Sequence, residues 1–218
     1  MDACPSLVVF VHGMERVRLF LGPLARRFRE EGFHTPFFSY SPRRNNVSQC
    51  AELLVDYLRE RDSSVSIVCF SLGGVICAEM IGTYQEFAMN AVHRVVFLGS
   101  PINGSELAKK VSRIPGSGLI FGKCFLDLAN SQEFLPQSSA TVGMIAGKSS
   151  FARVCNPFLK EENDILVQLR ETQSEALTEH VSVDTNHWAL PLRKDAHDLC
   201  IRFIKTGSFI DQSTESTL

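Results

Sequence analysis

The sequence predicts an α/β fold: a mainly parallel sheet of about six strands with helices on both faces. Three observations lead there. Apolar runs of strand length alternate with segments of helical period along the whole chain. The first run, Leu7 to Val11, is apolar without a break, as a strand buried on both faces must be. The alternation implies right-handed crossovers between parallel strands, and no internal repeat or linker interrupts it. The expectation is one domain over residues 1–218.

The elements follow in order. Leu7 to Val11 is the first strand. From about Arg16 to Glu31, Val17, Phe20, Leu21, Leu24, Ala25 and Phe28 recur at helical spacing, and Gly32 suits the helix C-cap. His34 to Tyr40 reads as a second strand, closed by Pro42. Val47 to Glu60 reads as a helix with Leu53, Leu54, Val55, Tyr57 and Leu58 on its apolar stripe. Ser64 to Cys69 is the third strand, and a helix from Leu72 to about Glu86 follows it almost without a loop. Val92 to Leu98, Thr141 to Ala146 and His180 to Val183 complete the strands. Lys194 to Lys205 is the last helix, and the Ser/Thr-rich tail after Gly207 is expected to fray. The rhythm breaks at about 100–136, where Gly104, Pro115, Gly116, Gly118, Gly122 and Pro136 punctuate a mixed apolar and basic segment. A connection that long in a compact domain is usually functional, and its place after the fourth strand suggests a cap or lid-like insertion.

Composition excludes several classes. A hydrophobic content of 44% and a charged content of 21% are those of a globular domain, and the net charge of −2 offers no basic stripe for nucleic acid. No apolar run approaches the length of a membrane span. Met-Asp-Ala-Cys-Pro lacks the features of a signal peptide, so the expected location is the cytosol, with export by another route left open. Cys4, Cys50, Cys69, Cys77, Cys124, Cys155 and Cys200 are odd in number and form no CxxC pair, which reads as reduced thiols, mostly buried, rather than a metal site.

The third strand runs into Cys69-Phe70-Ser71-Leu72-Gly73-Gly74, a small-x-Ser-x-Gly pattern at a strand-to-helix junction. A serine on so tight a turn is held with its hydroxyl at the carboxyl edge of the sheet. The residues two before and two after it must be small because strand and helix nearly touch. Ser71 is therefore the candidate nucleophile, and the Leu72 N–H, at the helix start, a candidate oxyanion donor. A simple helix N-cap is the plain alternative. His12-Gly13-Met14 follows the first strand, where the second oxyanion amide of such a site lies; the donor would be the Met14 N–H. The base should follow the last strand, which places His187, in Thr185-Asn186-His187-Trp188, at the same edge as Ser71. The acid should fall between serine and histidine in the chain. Asp164 leads, with Asp127, Asp184, Glu161 and Glu162 as alternatives.

The chain resembles the small bacterial lipase-like α/β-hydrolases related to the GPI inositol-deacylase group. The likeness runs through V-F-V-H-G-M, S-Y-S-P-R-R, C-F-S-L-G-G, L-G-S-P-I-N-G-S-E-L-A, I-A-G-K-S-S, N-D-I-L-V and T-N-H-W. Two departures stand out. Cys69-Phe70 replaces Gly-His or Thr-His ahead of the serine, which bears on the pocket wall. Ile165-Leu166 replaces Gly-Thr after the acid, which removes a glycine from the acid loop. The resemblance implies a reduced α/β-hydrolase fold and ester hydrolysis by Ser71, Asp164 and His187 through an acyl-enzyme, without cofactor or metal. The expected partner is a small-molecule or lipid ester, with room for transient contact with a membrane and none for nucleic acid. Thioester or amide cleavage on the same triad, and a non-catalytic binding protein that keeps the fold, are the alternatives.

Overall fold

The computed structural model describes residues 6–14, 18–61, 63–130, 134–135 and 140–211. Cys4, Arg16, Val17, Pro136 and the tail from residue 212 lie outside the described residues. Six strands form one sheet, all parallel: β1 (Val8–Val11), β2 (Phe37–Phe38), β3 (Val65–Phe70), β4 (Val92–Leu98), β5 (Thr141–Lys148) and β6 (Glu179–Asp184), in the order β2-β1-β3-β4-β5-β6.

Alternation of side chains along the strands divides the core in two. Val9, Val11, Ile67 and Cys69 face one layer, where they meet α2 (Val47–Arg59) and α3 (Leu72–Thr83). Val8, Phe10, Val68 and Phe70 face the other, against α1 (Arg18–Glu30) and α9 (Lys194–Thr206). Both faces being covered, the central strands carry no polar alternation. Helix α2 begins with a reciprocal capping box between Asn46 and Gln49, and a carboxylate from far along the chain adds to it: Asp127 Oδ2 accepts from the Val47 N–H at 2.7 Å.

Three expectations need correction. The second strand is only two residues long, not His34 to Tyr40. Pro36 has no N–H to donate, so its carbonyl alone joins the edge of β1, taking the Phe10 amide at 2.9 Å. The helix after the third strand does not reach Glu86. It stops at Tyr84 (φ −118°, ψ 50°), just past the weak helix formers Gly82 and Thr83, and α4 (Gln85–Ala91) follows as a separate helix. Strand β5 runs two residues beyond Ala146, since Gly147 and Lys148 still pair with Val183 and Asp184.

The irregular segment after β4 contains three short helices, α5 (Glu106–Ser112), α6 (Ser117–Phe121) and α7 (Lys123–Asn130), all at the carboxyl edge of the sheet. Buried Glu171 ties α5 to the loop before β6. Its Oε1 accepts from the Glu106 N–H at 2.7 Å and its Oε2 from the Gln168 N–H at 2.9 Å, while burial pushes its pKa up. A four-residue helix α8 (Ala152–Cys155) follows β5. No described helix is long and apolar enough to cross a membrane.

Candidate active site

Ser71 sits between β3 and α3 at φ 54°, ψ −124°, a conformation that L-residues avoid and that turns the chain from strand to helix in one residue. The turn is clamped from several sides. Ser71 N–H donates to the Leu98 carbonyl at 2.9 Å, and Gly74 N–H returns to the Ser71 carbonyl at 3.0 Å. A Cβ on Gly73 would lie 2.5 Å from the carbonyl oxygens of both Val11 and His12, so this position has no room for a side chain. Cys69, two residues before the serine, is fully buried.

His187, in the loop after β6, brings its Nε2 to 3.0 Å from Ser71 Oγ and its Nδ1 to 2.6 Å from Asp164 Oδ2. A carboxylate can only accept, so Nδ1 carries the proton, and the free Nε2 is left to accept from the serine hydroxyl. The imidazole is almost wholly buried, with the Phe70 ring 4.9 Å away and Trp188 edge-on at 6.4 Å. Its backbone is fixed by the same partner as its ring, because His187 N–H donates to the Asp164 carbonyl at 2.8 Å.

Asp164 is buried in a tight turn. Its Oδ1 accepts from the amides of Leu166 (3.0 Å) and Val167 (2.8 Å), which leaves Oδ2 to the histidine. Those bonds require the chain to reverse at Ile165, which takes φ +91°. A β-branched residue is an outlier in that region. Asn163 Oδ1, accepting from the Ile165 N–H, and Asn156 Nδ2, donating to the Ile165 carbonyl, hold the strained peptide from both ends.

The alternative acids stand elsewhere. Asp127 caps α2, Asp184 is exposed at the end of β6, Glu161 pairs with Arg170 at 3.0 Å, and Glu162 is exposed.

The loop after β1 lies directly against the serine, and a Cβ on Gly13 would sit 3.2 Å from Ser71 Cβ. Among the described residues, neither the Met14 nor the Leu72 N–H has a hydrogen-bond acceptor. Leu72 is the first residue of α3, where the helix leaves its amides free and its dipole favours negative charge. The orientation of the Met14 amide has a cause that sequence reasoning missed. Tyr40 OH donates to the carbonyls of His12 (2.7 Å) and Gly13 (3.2 Å), and His12 Nδ1 also reaches the Gly13 carbonyl at 2.7 Å. The His12 and Tyr40 rings stack at 4.5 Å. Across a trans peptide the N–H points opposite to the C=O, so holding the Gly13 carbonyl toward Tyr40 turns the Met14 N–H the other way. Tyr40 was visible in S-Y-S-P-R-R, but nothing in the spacing linked it to residues 12 and 13.

Ser71 and His187 open onto a cavity of about 320 Å³ whose lining is largely apolar: Met14, Phe20, Phe70, Leu107, Phe121, Phe125, Leu128, Leu166, Val167 and Trp188. Phe70, one of the departures from the lipase-like pattern, forms part of this wall. The segment after β4 contributes through Leu107, Phe121, Phe125 and Leu128, whereas Leu119 and Ile120 point away to solvent. A larger depression of about 790 Å³, among Leu7, Arg29, His34, Glu60 and Arg61, lies at the amino edge of the strands, away from Ser71. Among the described residues, six cysteines are free and all but Cys155 are buried. Among the described residues, no cluster of three or more His, Cys, Asp or Glu side chains could share a metal ion.

No protein-family model matches the chain, and no curated protein matches it in sequence. Solved structures do match it in shape. The mature form of the lipase BlEst2 from Bacillus licheniformis superposes with a TM-score of 0.73 at 18% identity, over 95% of this chain and 94% of that one. The monoacylglycerol lipase of Paleococcus ferrophilus gives 0.61 at 14% identity, over 94% and 97%. MGS-MChE2, an α/β-hydrolase enzyme from the metagenome of lagoon sediments at Mar Chica, Morocco, gives 0.58 at 19% identity, over 91% and 90%. With six parallel strands, helices on both faces and these neighbours, the chain has the α/β-hydrolase fold in reduced form.

Proposed function

We propose that the protein is a serine hydrolase that cleaves carboxylic esters with an apolar acyl chain. The observation that carries this reading is the hydrogen-bonded line from Ser71 through His187 to Asp164, opening onto the apolar cavity. Ser71 Oγ attacks the ester carbonyl as His187 Nε2 takes its proton. Asp164 holds the imidazole in the required tautomer and stabilises the cation that forms. The amides of Met14 and Leu72 receive the negative charge of the tetrahedral intermediate. His187 then protonates the leaving alcohol, and water repeats the sequence on the acyl-enzyme. Helices α5 to α7 act as the cap, walling the acyl chain with Leu107, Phe121 and Phe125 and keeping water from the intermediate. The lipase-like motifs and the two lipases among the structural neighbours support the same reaction class.

The cavity sets an expectation for chain length. At ~30 Å³ per small group, the share of one water in the liquid, 320 Å³ holds roughly ten carbon-sized groups. Each buried methylene contributes up to ~0.8 kcal/mol, or about fourfold in kcat/KM. The test is a series of p-nitrophenyl esters from acetyl to palmitoyl. The rate should climb from acetyl to a medium chain and then level or fall. Phe121→Ser and Phe125→Ser should flatten the climb, because they remove the wall. A profile that peaks at acetyl and ignores both changes would contradict the apolar-chain reading.

A further inference from the structure

The outer side of α6 and its surroundings has no place in the chemistry described so far. Leu119 is 92% exposed and Ile120 60% exposed on this one-turn helix, Leu19 is 82% exposed beside the pocket residue Phe20, and Trp188, on the pocket wall, is 42% exposed. Singly exposed apolar residues are ordinary, but Trp188 lines the apolar cavity and the other three lie within two residues of its lining residues Phe20 and Phe121. Helix α6 lies between Gly116 (φ 84°) and Gly122 (φ 87°), which turn the chain at both of its ends.

Charge is distributed just as unevenly. Between residues 107 and 126 there are four bases, Lys109, Lys110, Arg113 and Lys123, and no acid, in a chain whose net charge is −2. Arg43 and Arg44 join this face, because the amides of Lys123 and Cys124 donate to the carbonyls of Arg43 (3.4 Å) and Pro42 (3.1 Å). Lys110 pairs with Glu106. The other five make no ion pair among the described residues. On other faces Arg26, Arg27, Arg59, Arg170, Arg193, Arg202 and Lys205 each have a carboxylate within 4.0 Å. Among the described residues, five cations without an ion pair thus lie around α6, while Arg29, Arg94, Lys148, Lys160 and Lys194, also without one, lie elsewhere; what sets this face apart is that the segment 107–126 carries no acid.

We propose that this face docks on an anionic lipid surface, with Leu119, Ile120 and Trp188 entering the acyl boundary and Arg43, Arg44, Arg113 and Lys123 at the level of the phosphates. Exposed apolar side chains flanked by cations match the layering of a bilayer, where depth selects apolarity and the headgroup plane carries negative charge. A tryptophan at the rim suits the boundary between the two. The inference rests on the proposed ester hydrolysis for its purpose: a docked molecule would present the cavity mouth to the membrane, and an acyl chain could enter without crossing water.

Binding is measured on Ser71→Ala protein, so that it does not depend on turnover, by sedimentation with vesicles of phosphatidylcholine alone or mixed with phosphatidylglycerol. The protein should sediment with the mixed vesicles, less so at high salt, and weakly with the neutral ones. Reversing Arg43, Arg44 and Lys123 to glutamate together should weaken partitioning by 10²-fold or more, at about fivefold per cation. Leu119→Ser/Ile120→Ser should also weaken it. Placed in the Ser71 protein, both sets should leave hydrolysis of soluble p-nitrophenyl butyrate unchanged, which shows that they fold. Equal binding to neutral and anionic vesicles, or no binding to either, would overturn the docking surface. So would a dimer in solution that Leu119→Ser/Ile120→Ser dissociates, since a second copy would then cover the patch. Anionic binding without any ester hydrolysis by the Ser71 protein would leave the surface standing and bring down the proposed function.

Discussion

Ile165 reverses the usual ranking of alanine and glycine. It stands at φ +91° in the turn that aims two amides at Asp164 Oδ1. An L-residue in left-handed backbone costs ~1–2 kcal/mol, a cost that glycine does not bear. Glycine in turn loses more freedom on folding than alanine, by ~0.4–1 kcal/mol. The difference, about 0.8 kcal/mol at the middle of these ranges, leaves Ile165→Gly more stable than Ile165→Ala, opposite to the order at ordinary positions. Both variants lose the half-buried side chain beyond Cβ, so that contribution, up to ~1 kcal/mol for partial burial, cancels between them. Against the parent protein, Ile165→Gly should be near neutral. In a domain of this size 1 kcal/mol moves Tm by ~2–4 °C, so thermal unfolding followed by circular dichroism should place the glycine variant ~1–4 °C above the alanine one. An alanine variant equal to or more stable than the glycine one would refute the strain argument.

Other residues give further expectations. Asp164→Asn should lower kcat by roughly 10⁴ with the fold intact, because the histidine loses its tautomer, whereas Asp184→Asn, at an exposed strand end, should change stability and rate little; steady-state kinetics on both variants decides the ranking. Tyr40→Phe should lower kcat by about 10- to 100-fold with KM nearly unchanged, a part of the 10²–10³ lost with a whole oxyanion donor, and should cost ~1–3 kcal/mol in urea unfolding for two buried carbonyls left short of a donor. Gly73→Ala should destabilise by about 3 kcal/mol or more, since its methyl would meet two backbone oxygens that only a shift of strand against helix could clear; a urea midpoint like the parent's would contradict this.

The sheet was legible in the sequence because a parallel sheet covered on both faces writes its strands as unbroken apolar runs, and β1, β3, β4 and β5 are such runs. The edges were harder. β2 is cut short by Pro36, which is apolar to a pattern search and lacks a donor in the ladder. Ser71, His187 and Asp164, which meet in the structure, each had a positional signal: a tight turn between strand and helix, a loop after the last strand, and an acid between the two. Tyr40 had none, because its function depends on a contact across about thirty residues that no period records. The segment after β4, mixed apolar and basic, was expected to form a cap, but which side chains faced inward could not be read. Helix α6 is a single turn, too short for a helical stripe to distinguish Phe121, on the cavity wall, from Leu119 and Ile120, in solvent.

The central claim is that Ser71 is the nucleophile. The direct measurement is reaction of the folded protein with a fluorophosphonate, followed by intact-mass and peptide analysis alongside ester turnover. One adduct per chain should form, on the peptide carrying Cys69-Phe70-Ser71-Leu72, and folded Ser71→Ala should take up none and lose turnover by a factor on the order of 10⁶. An adduct on another residue, or a folded Ser71→Ala protein that still hydrolyses esters at near the parent rate, would contradict it.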